Sequence, residues 1–142
     1  AGNFPFVQQN GIGVMAYGSM AHGLLTGAWK AGQSFAEDDW RRNGANFGLK
    51  TWAPENLPAN LAVADRLKKI AADHKKTLAQ LAVAWVLGNP AVTVALCGAK
   101  TPAEMKEDLG GDWAMPSSLR EEINGLVLAE GSGVGKLGDV GP

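Results

Sequence analysis

The sequence predicts an α/β fold, and three observations carry that prediction. Two short apolar runs, Gly11-Ile12-Gly13-Val14-Met15-Ala16-Tyr17 and Val92-Thr93-Val94-Ala95-Leu96-Cys97, have the length and residue types of strands. Residues 57–87 contain no glycine, whereas six of the 19 glycines fall in residues 1–27 and six in residues 125–142. That contrast marks a helical middle between segments of strand and turn. Each strand also runs into a small-residue turn, Gly18-Ser19 in one case and Gly98-Ala99 in the other. Strands separated by helices in this way pair in parallel through right-handed crossovers.

Residues 11–17 alternate poorly and are too short for most helices, so a strand buried on both faces is expected. From Gly18 to Asn56 no period is sustained. This stretch interleaves Trp29, Phe35, Trp40, Phe47 and Trp52 with Asp38, Asp39, Arg41 and Arg42. Connections longer than about 15 residues are uncommon in compact domains and are usually functional or wrapped against something. Short helical turns are expected within it. Leu61, Ala64, Leu67, Ile70 and Ala71 then recur at helical spacing opposite Asp65, Lys68, Lys69 and Asp73, which predicts an amphipathic helix over 58–73.

Thr77-Leu78-Ala79-Gln80 has the form of a capping box. The helix it opens, over 78–87, is apolar nearly all round and should be central, and Gly88-Asn89-Pro90 stops it. After the second strand, Thr101-Pro102-Ala103-Glu104 is a second capping box with Pro102 at the first helical position. That helix reaches 109, where Gly110-Gly111 ends it. Ser118-Leu119-Arg120-Glu121 repeats the signal and opens a final helix to 128. Residues 130–142 hold five glycines in thirteen residues and are expected to be a flexible tail, with the folded domain over 1–129.

The 142 residues suit one domain, and 46% hydrophobic content is enough for a core. Thirteen basic against 14 acidic residues give a net charge of -1, with no gross footprint for nucleic acid or anionic lipid. No apolar run approaches a membrane span and Ala1-Gly2-Asn3-Phe4-Pro5-Phe6 is not a secretory signal, so a soluble, cytoplasmic protein is expected. The single cysteine, Cys97, excludes an intramolecular disulfide and reads as a small buried hydrophobe. His22 and His74 lack zinc-ligand spacing, so no metal is expected. Lys68, Lys69, Lys75 and Lys76 read as a solvated face. Glu130-Gly131-Ser132-Gly133-Val134-Gly135-Lys136-Leu137 is rejected as a phosphate loop, because it follows a helix and lacks the first glycine and the final Ser or Thr.

Chemistry concentrates at two junctions. From Cys97 to Leu109 a strand feeds a helix through a small-residue turn, where outward amides and the helix dipole favour phosphate or carboxylate. Lys100 adds a positive charge at its mouth, and Glu107 and Asp108 are acceptors further along, an order that suits a nucleotide; an ordinary connection with a solvated lysine is the alternative. The second junction, Tyr17 to Gly27, follows the first strand, where α/β folds place ligands. Tyr17 offers an aromatic face, while Ser19, His22 and Thr26 offer hydrogen bonds. A nucleophilic Ser19/His22 pair is conceivable, though no G-x-S-x-G elbow is present.

At these junctions the sequence resembles the C-terminal part of an aldo-keto reductase. The matching segments are residues 11–17, His22-Gly23-Leu24-Leu25-Thr26-Gly27, Phe35-Ala36-Glu37-Asp38-Asp39-Trp40-Arg41-Arg42, residues 77–87 and Cys97-Gly98-Ala99-Lys100-Thr101-Pro102. The resemblance implies part of a (β/α)8 barrel, with residues 11–17 as its seventh strand, 92–97 as its eighth and the N-terminal barrel strands absent. It implies NADP(H) as cofactor and carbonyl reduction as chemistry. By the same resemblance Tyr17 stacks on the nicotinamide, and Ser19, Met20, Gly23, Leu24 and Thr26 line the pyrophosphate. Gly98, Lys100 and Thr101 take the adenosine 2′-phosphate, and Glu104, Glu107 and Asp108 stand at the adenosine end. The family usually has Gln at the position of Glu104 and Asn at that of Asp108, and Lys is common where this chain has Ala28.

The family's catalytic Asp, Tyr, Lys and His belong to its first four strands, so the resemblance implies a cofactor-binding portion without them. A barrel of this kind typically needs about 250 residues. Three function classes are therefore carried forward. The first is a part of an NADP-dependent oxidoreductase, a homo-oligomer or a piece of a longer chain, acting on a small carbonyl or alcohol when other strands complete it. The second is a scaffold that oligomerises through its strand edges. The third is a small hydrolase using Ser19 and His22.

Overall fold

The computed structural model describes residues 3–44 and 48–132. Strand β1 (Val14–Ala16) pairs in parallel with β2 (Val92–Ala95), and the two form a two-stranded sheet rather than a closed barrel. The register sets Val14 against Val92, Met15 against Val94 and Ala16 against Ala95, with an irregularity between Val14 and Met15. There the Val14 amide donates to the Thr93 hydroxyl at 3.3 Å, so a side chain supplies an acceptor beside the irregularity. Pairing continues past the strand ends, where the Leu96 amide donates to the Ala16 carbonyl at 2.9 Å.

Between the strands lie two 3-10 turns, Ala21–Thr26 and Trp40–Asn43, and then the helices α2 (Leu57–Asp73) and α3 (Leu78–Leu87). Helices α4 (Pro102–Leu109) and α5 (Ser117–Glu130) follow β2, and a short α1 (Asn3–Gln9) precedes β1. The Thr77–Gln80 capping box is formed in both directions, which explains the sharp start of α3. As its composition requires, α3 is central: it packs on α2, α4 and β2.

The main core joins Val63, Ala64, Leu67 and Ala71 of α2 to Leu78 and Leu81 of α3 and to Leu119, Ile123 and Leu126 of α5. Each fully buried leucine or isoleucine contributes about 1.5–3 kcal/mol. Polar contacts fix how the helices meet. The Trp85 indole donates to Asn124 Oδ1 at 2.9 Å, and Arg120 lies over the Trp85 ring while donating to its carbonyl. Gln80 Nε2 reaches the Glu107 carbonyl at 3.1 Å, tying α3 to α4. Gly110 and Gly111 permit that approach, because a Cβ would lie 2.3 Å from Gln80 Nε2 at one and 2.5 Å from Val83 Cβ at the other.

Several expectations are corrected. The strand within residues 11–17 is not buried on both faces: Met15 is 69% exposed, with Val94 and Leu96 of the neighbouring chain segment exposed as well, because α3 packs on one side of so narrow a sheet. Helix α5 starts at Ser117, before the expected Ser118, and its N-cap is Pro116 with no side-chain cap bond. Helix α1 was not foreshadowed, since it buries no residue and so carries no amphipathic signature. Lys76 is not merely solvated; its ammonium lies 5.5 Å from the Trp113 ring centre and donates to the Gly110 carbonyl at 3.4 Å. In the second capping box Thr101 accepts the Glu104 amide at 3.2 Å, but Glu104 reaches back one residue further, to the Lys100 amide. Phe47 and residues 133–142 of the glycine-rich stretch lie outside the described residues. Ser132, at its start, is bonded to Asn60 and Asn56.

Candidate functional site

Parallel pairing makes both strands end on the same side of the sheet, so the loop after Tyr17 and the turn after Cys97 leave together. The loop takes an unusual path. Ala21, His22 and Gly23 have φ of 47°, 56° and 101°, three consecutive residues in the left-handed half of the map. Hydrogen bonds from Ala21 to Gly18, and from Gly23 and Leu25 to Met20, close the turn. Thr26 Oγ1 donates to the Gly23 carbonyl at 2.8 Å. Leu24 is buried with Trp52 and Leu61 and anchors the loop.

The tyrosine at the strand end is 70% exposed, and its ring lies 5.7 Å from that of His22. His22 in turn meets Trp40 edge-on at 5.5 Å. Ser19 is 7% exposed and its hydroxyl donates to the Ala16 carbonyl at 3.3 Å, an arrangement that holds it as a turn stabiliser instead of an exposed nucleophile.

Beyond this loop, Arg41 lies over the rings of Trp29 at 4.7 Å, Trp52 at 5.4 Å and Phe35 at 5.8 Å. Its Nε and Nη2 donate to the Asp39 carboxylate at 2.9, 3.1 and 2.6 Å, in the bidentate manner that fixes a guanidinium. The Arg41 side chain holds the Asp39 carboxyl below the usual carboxylate range; burial opposes this, and the charge of Lys100 assists it. Lys100 therefore acts within the electrostatic reach of Asp39, which links the long loop to the turn after β2. A recess of about 350 Å³ opens beside Arg41, lined by Ser34, Phe35, Arg42, Trp52, Pro54 and Leu57.

At the turn itself Gly98 leaves open space, with no atom of the described residues within 4 Å of where a Cβ would stand. Lys100 is exposed, and Thr101 caps α4. Glu104 Oε2 accepts the Lys100 amide at 2.6 Å. Glu107 and Asp108 lie two turns on. Asp108 is 8% exposed and its Oδ2 has no hydrogen-bond partner among the described residues; burial first, and then the charges of Glu107 and Glu104, raise its pKa. Burial, with a further push from Asp108, raises the pKa of Cys97 too. Tyr17, Ser19, Met20, Gly23, Leu24 and Thr26 thus follow one strand end, and Gly98, Lys100, Thr101 and Glu104 the adjacent one. The Arg41 cluster was missed as a unit, although the interleaving of tryptophans with arginines was its signal.

Residues 1–111 match the model of the Aldo/keto reductase family. The chain belongs to the aldo/keto reductase family. It is 29% identical over 126 residues to Aldo-keto reductase YhdN of Bacillus subtilis, covering 87% of this chain and 36% of the relative. It is 30% identical over 103 residues to Aldo-keto reductase yakc [NADP(+)] of Schizosaccharomyces pombe, covering 72% of this chain and 29% of the relative. Among solved structures, the glycerol dehydrogenase AKR11B4 of Gluconobacter oxydans superposes with a TM-score of 0.76 at 28% identity, covering 89% of this chain and 37% of that one. The chain spans about a third of the length of the curated relatives it matches.

The match identifies the two strands of this aldo/keto reductase chain as part of a TIM-barrel wall. The family uses a nicotinamide cofactor, and the chemistry at the strand ends fits one: an exposed aromatic ring at Tyr17, open backbone at Gly98 and an exposed ammonium at Lys100. Among the described residues no cluster of His, Cys, Asp and Glu suits a metal ion. No helix among them is long and apolar enough to cross a membrane.

Proposed function

We propose that this chain is the NADP(H)-binding portion of an aldo/keto reductase-type oxidoreductase that interconverts small carbonyls and alcohols. The observation that carries the reading is the convergence of Tyr17 and Lys100 on one end of the sheet, with open backbone at Gly98 between the strand and the lysine. The nicotinamide, when bound, supplies or accepts the hydride. Tyr17 gives its ring a flat apolar surface. Ser19, Met20, Gly23, Leu24 and Thr26 hold the loop along which the pyrophosphate lies, Ser19 and Leu24 from buried positions. Lys100 pairs with the 2′-phosphate, and Thr101 holds the start of α4 in place beneath it. The NADP(+) in the name of the fission-yeast relative supports the phosphorylated cofactor.

Tyr17 is the single tyrosine of the chain, and in this reading it stacks instead of donating a proton. The proton donor then comes from further barrel strands, on the same or another chain. Titration of the chain with NADPH, followed by cofactor fluorescence, tests the reading. Saturable binding is expected, and Lys100→Ala weakens it about tenfold while changing NADH binding little. No binding at millimolar cofactor overturns it. The exposed Met15, Val94 and Leu96 favour a second reading, a scaffold that oligomerises through its sheet; a monomer by light scattering overturns that one.

A further inference from the structure

The left-handed turn at Ala21-His22-Gly23 is a costly backbone path, and such paths persist only where their surroundings over-determine them. Thr26 holds the Gly23 carbonyl from within the loop, and Arg41 reaches the turn from outside it, its Nη1 donating to the His22 carbonyl at 3.4 Å. That guanidinium is braced on several sides, next to the recess it helps to line. Asp39 takes its Nε and Nη2, while Trp29, Phe35 and Trp52 surround its plane. Gly23 lets it approach, because a Cβ there would stand 3.1 Å from Arg41 Nη1 and 3.7 Å from Trp29 Nε1. From His22 the chain of contact continues to the ring of Tyr17.

We propose that Arg41 is a positioning residue: clamped by Asp39 and three aromatic rings, it pins the His22 carbonyl and thereby fixes the 18–27 loop and the Tyr17 ring. A lysine cannot replace it, since a point charge lacks the planar fork that binds Asp39 and His22 at once. The pin is a property of the fold; its consequence for cofactor affinity rests on the reading above.

The experiment is hydrogen exchange on the full chain at the amides of Ala21, Gly23 and Leu25, with helix α3 as an internal reference, alongside NADPH titration. In Arg41→Gln, exchange at the three loop amides rises about tenfold while α3 is unchanged. NADPH affinity falls in parallel, and Arg41→Lys rescues neither. Asp39→Asn, which loosens the clamp and keeps the guanidinium, gives a smaller rise. Unchanged loop exchange in Arg41→Gln overturns the proposal, as does an equal rise in α3 or full rescue by lysine. Should the parent chain bind no NADPH, the cofactor reading fails, and the exchange pattern still decides the role of Arg41.

Discussion

The Glu104 carboxylate accepts the main-chain amide of Lys100 at 2.6 Å, which places a negative charge where an incoming phosphate would gain most from the start of α4. The Glu104 carboxylate thus stands at the main chain of the residue whose ammonium is proposed to take the phosphate. Glutamine can keep accepting the amide without the charge. Glu104→Gln is therefore expected to raise NADPH affinity about three- to tenfold and to leave NADH affinity nearly unchanged. Parallel fluorescence titrations check this. An equal gain for both cofactors would show that the charge does not act on the phosphate.

Asn60 is 3% exposed and joins two distant segments. Its Nδ2 donates to the carbonyls of Thr51 at 2.9 Å and Ser132 at 2.7 Å, and its Oδ1 accepts the Ser132 amide at 2.8 Å. Asn60→Ala leaves those partners short of bonds in a half-buried setting and is expected to cost about 2–3 kcal/mol. Denaturant unfolding measures the loss. Exchange of the Ser132 amide should accelerate more than that of α3, since its acceptor is gone; equal acceleration of the two counts against the assignment.

The capping box of α3 allows a graded prediction. Thr77 Oγ1 accepts the Gln80 amide at 3.2 Å, so Thr77→Ala should cost about 1 kcal/mol. Gln80 returns a bond to the Thr77 amide at 3.1 Å and also donates to the Glu107 carbonyl. Gln80→Ala loses both and should cost more, about 2 kcal/mol. The order of the two, read from urea midpoints, is the test.

What was legible in the sequence follows from the range of the interactions. The Thr77–Gln80 box, the glycine stop after α4 and the face of α2 depend on residues three or four apart, and spacing along the chain reveals them. The two strand ends were legible because each carries its own turn. The Arg41 clamp was not, because Trp29 and Trp52 meet Arg41 only through the path of an aperiodic loop. The burial of Asp108 was not legible for the same reason. Lys106 and Glu107 before it are charged, and its burial arises in the fold, where α4 packs on α3.

That burial makes Asp108 a source of pH dependence. Burial, and then Glu107 and Glu104, raise its pKa in the folded chain above the unfolded value of about 3.9. Below that value both states are protonated and nothing is lost. As pH rises through the window between the two values, the unfolded state gives up its proton first, the folded state binds more protons, and stability falls. Above the folded value the penalty is constant. Asp108→Asn removes the charge from the Oδ2 position, so it should stabilise the chain at neutral pH and do almost nothing below about pH 4. Urea unfolding of both proteins across that range measures the gap. The Cys97 thiol gives an independent readout. Burial is the first cause of its raised pKa and Asp108 the second, so the variant should alkylate somewhat faster at a fixed pH near neutrality. A stability gap that stays constant with pH would mean that the gain comes from packing and not from the buried charge.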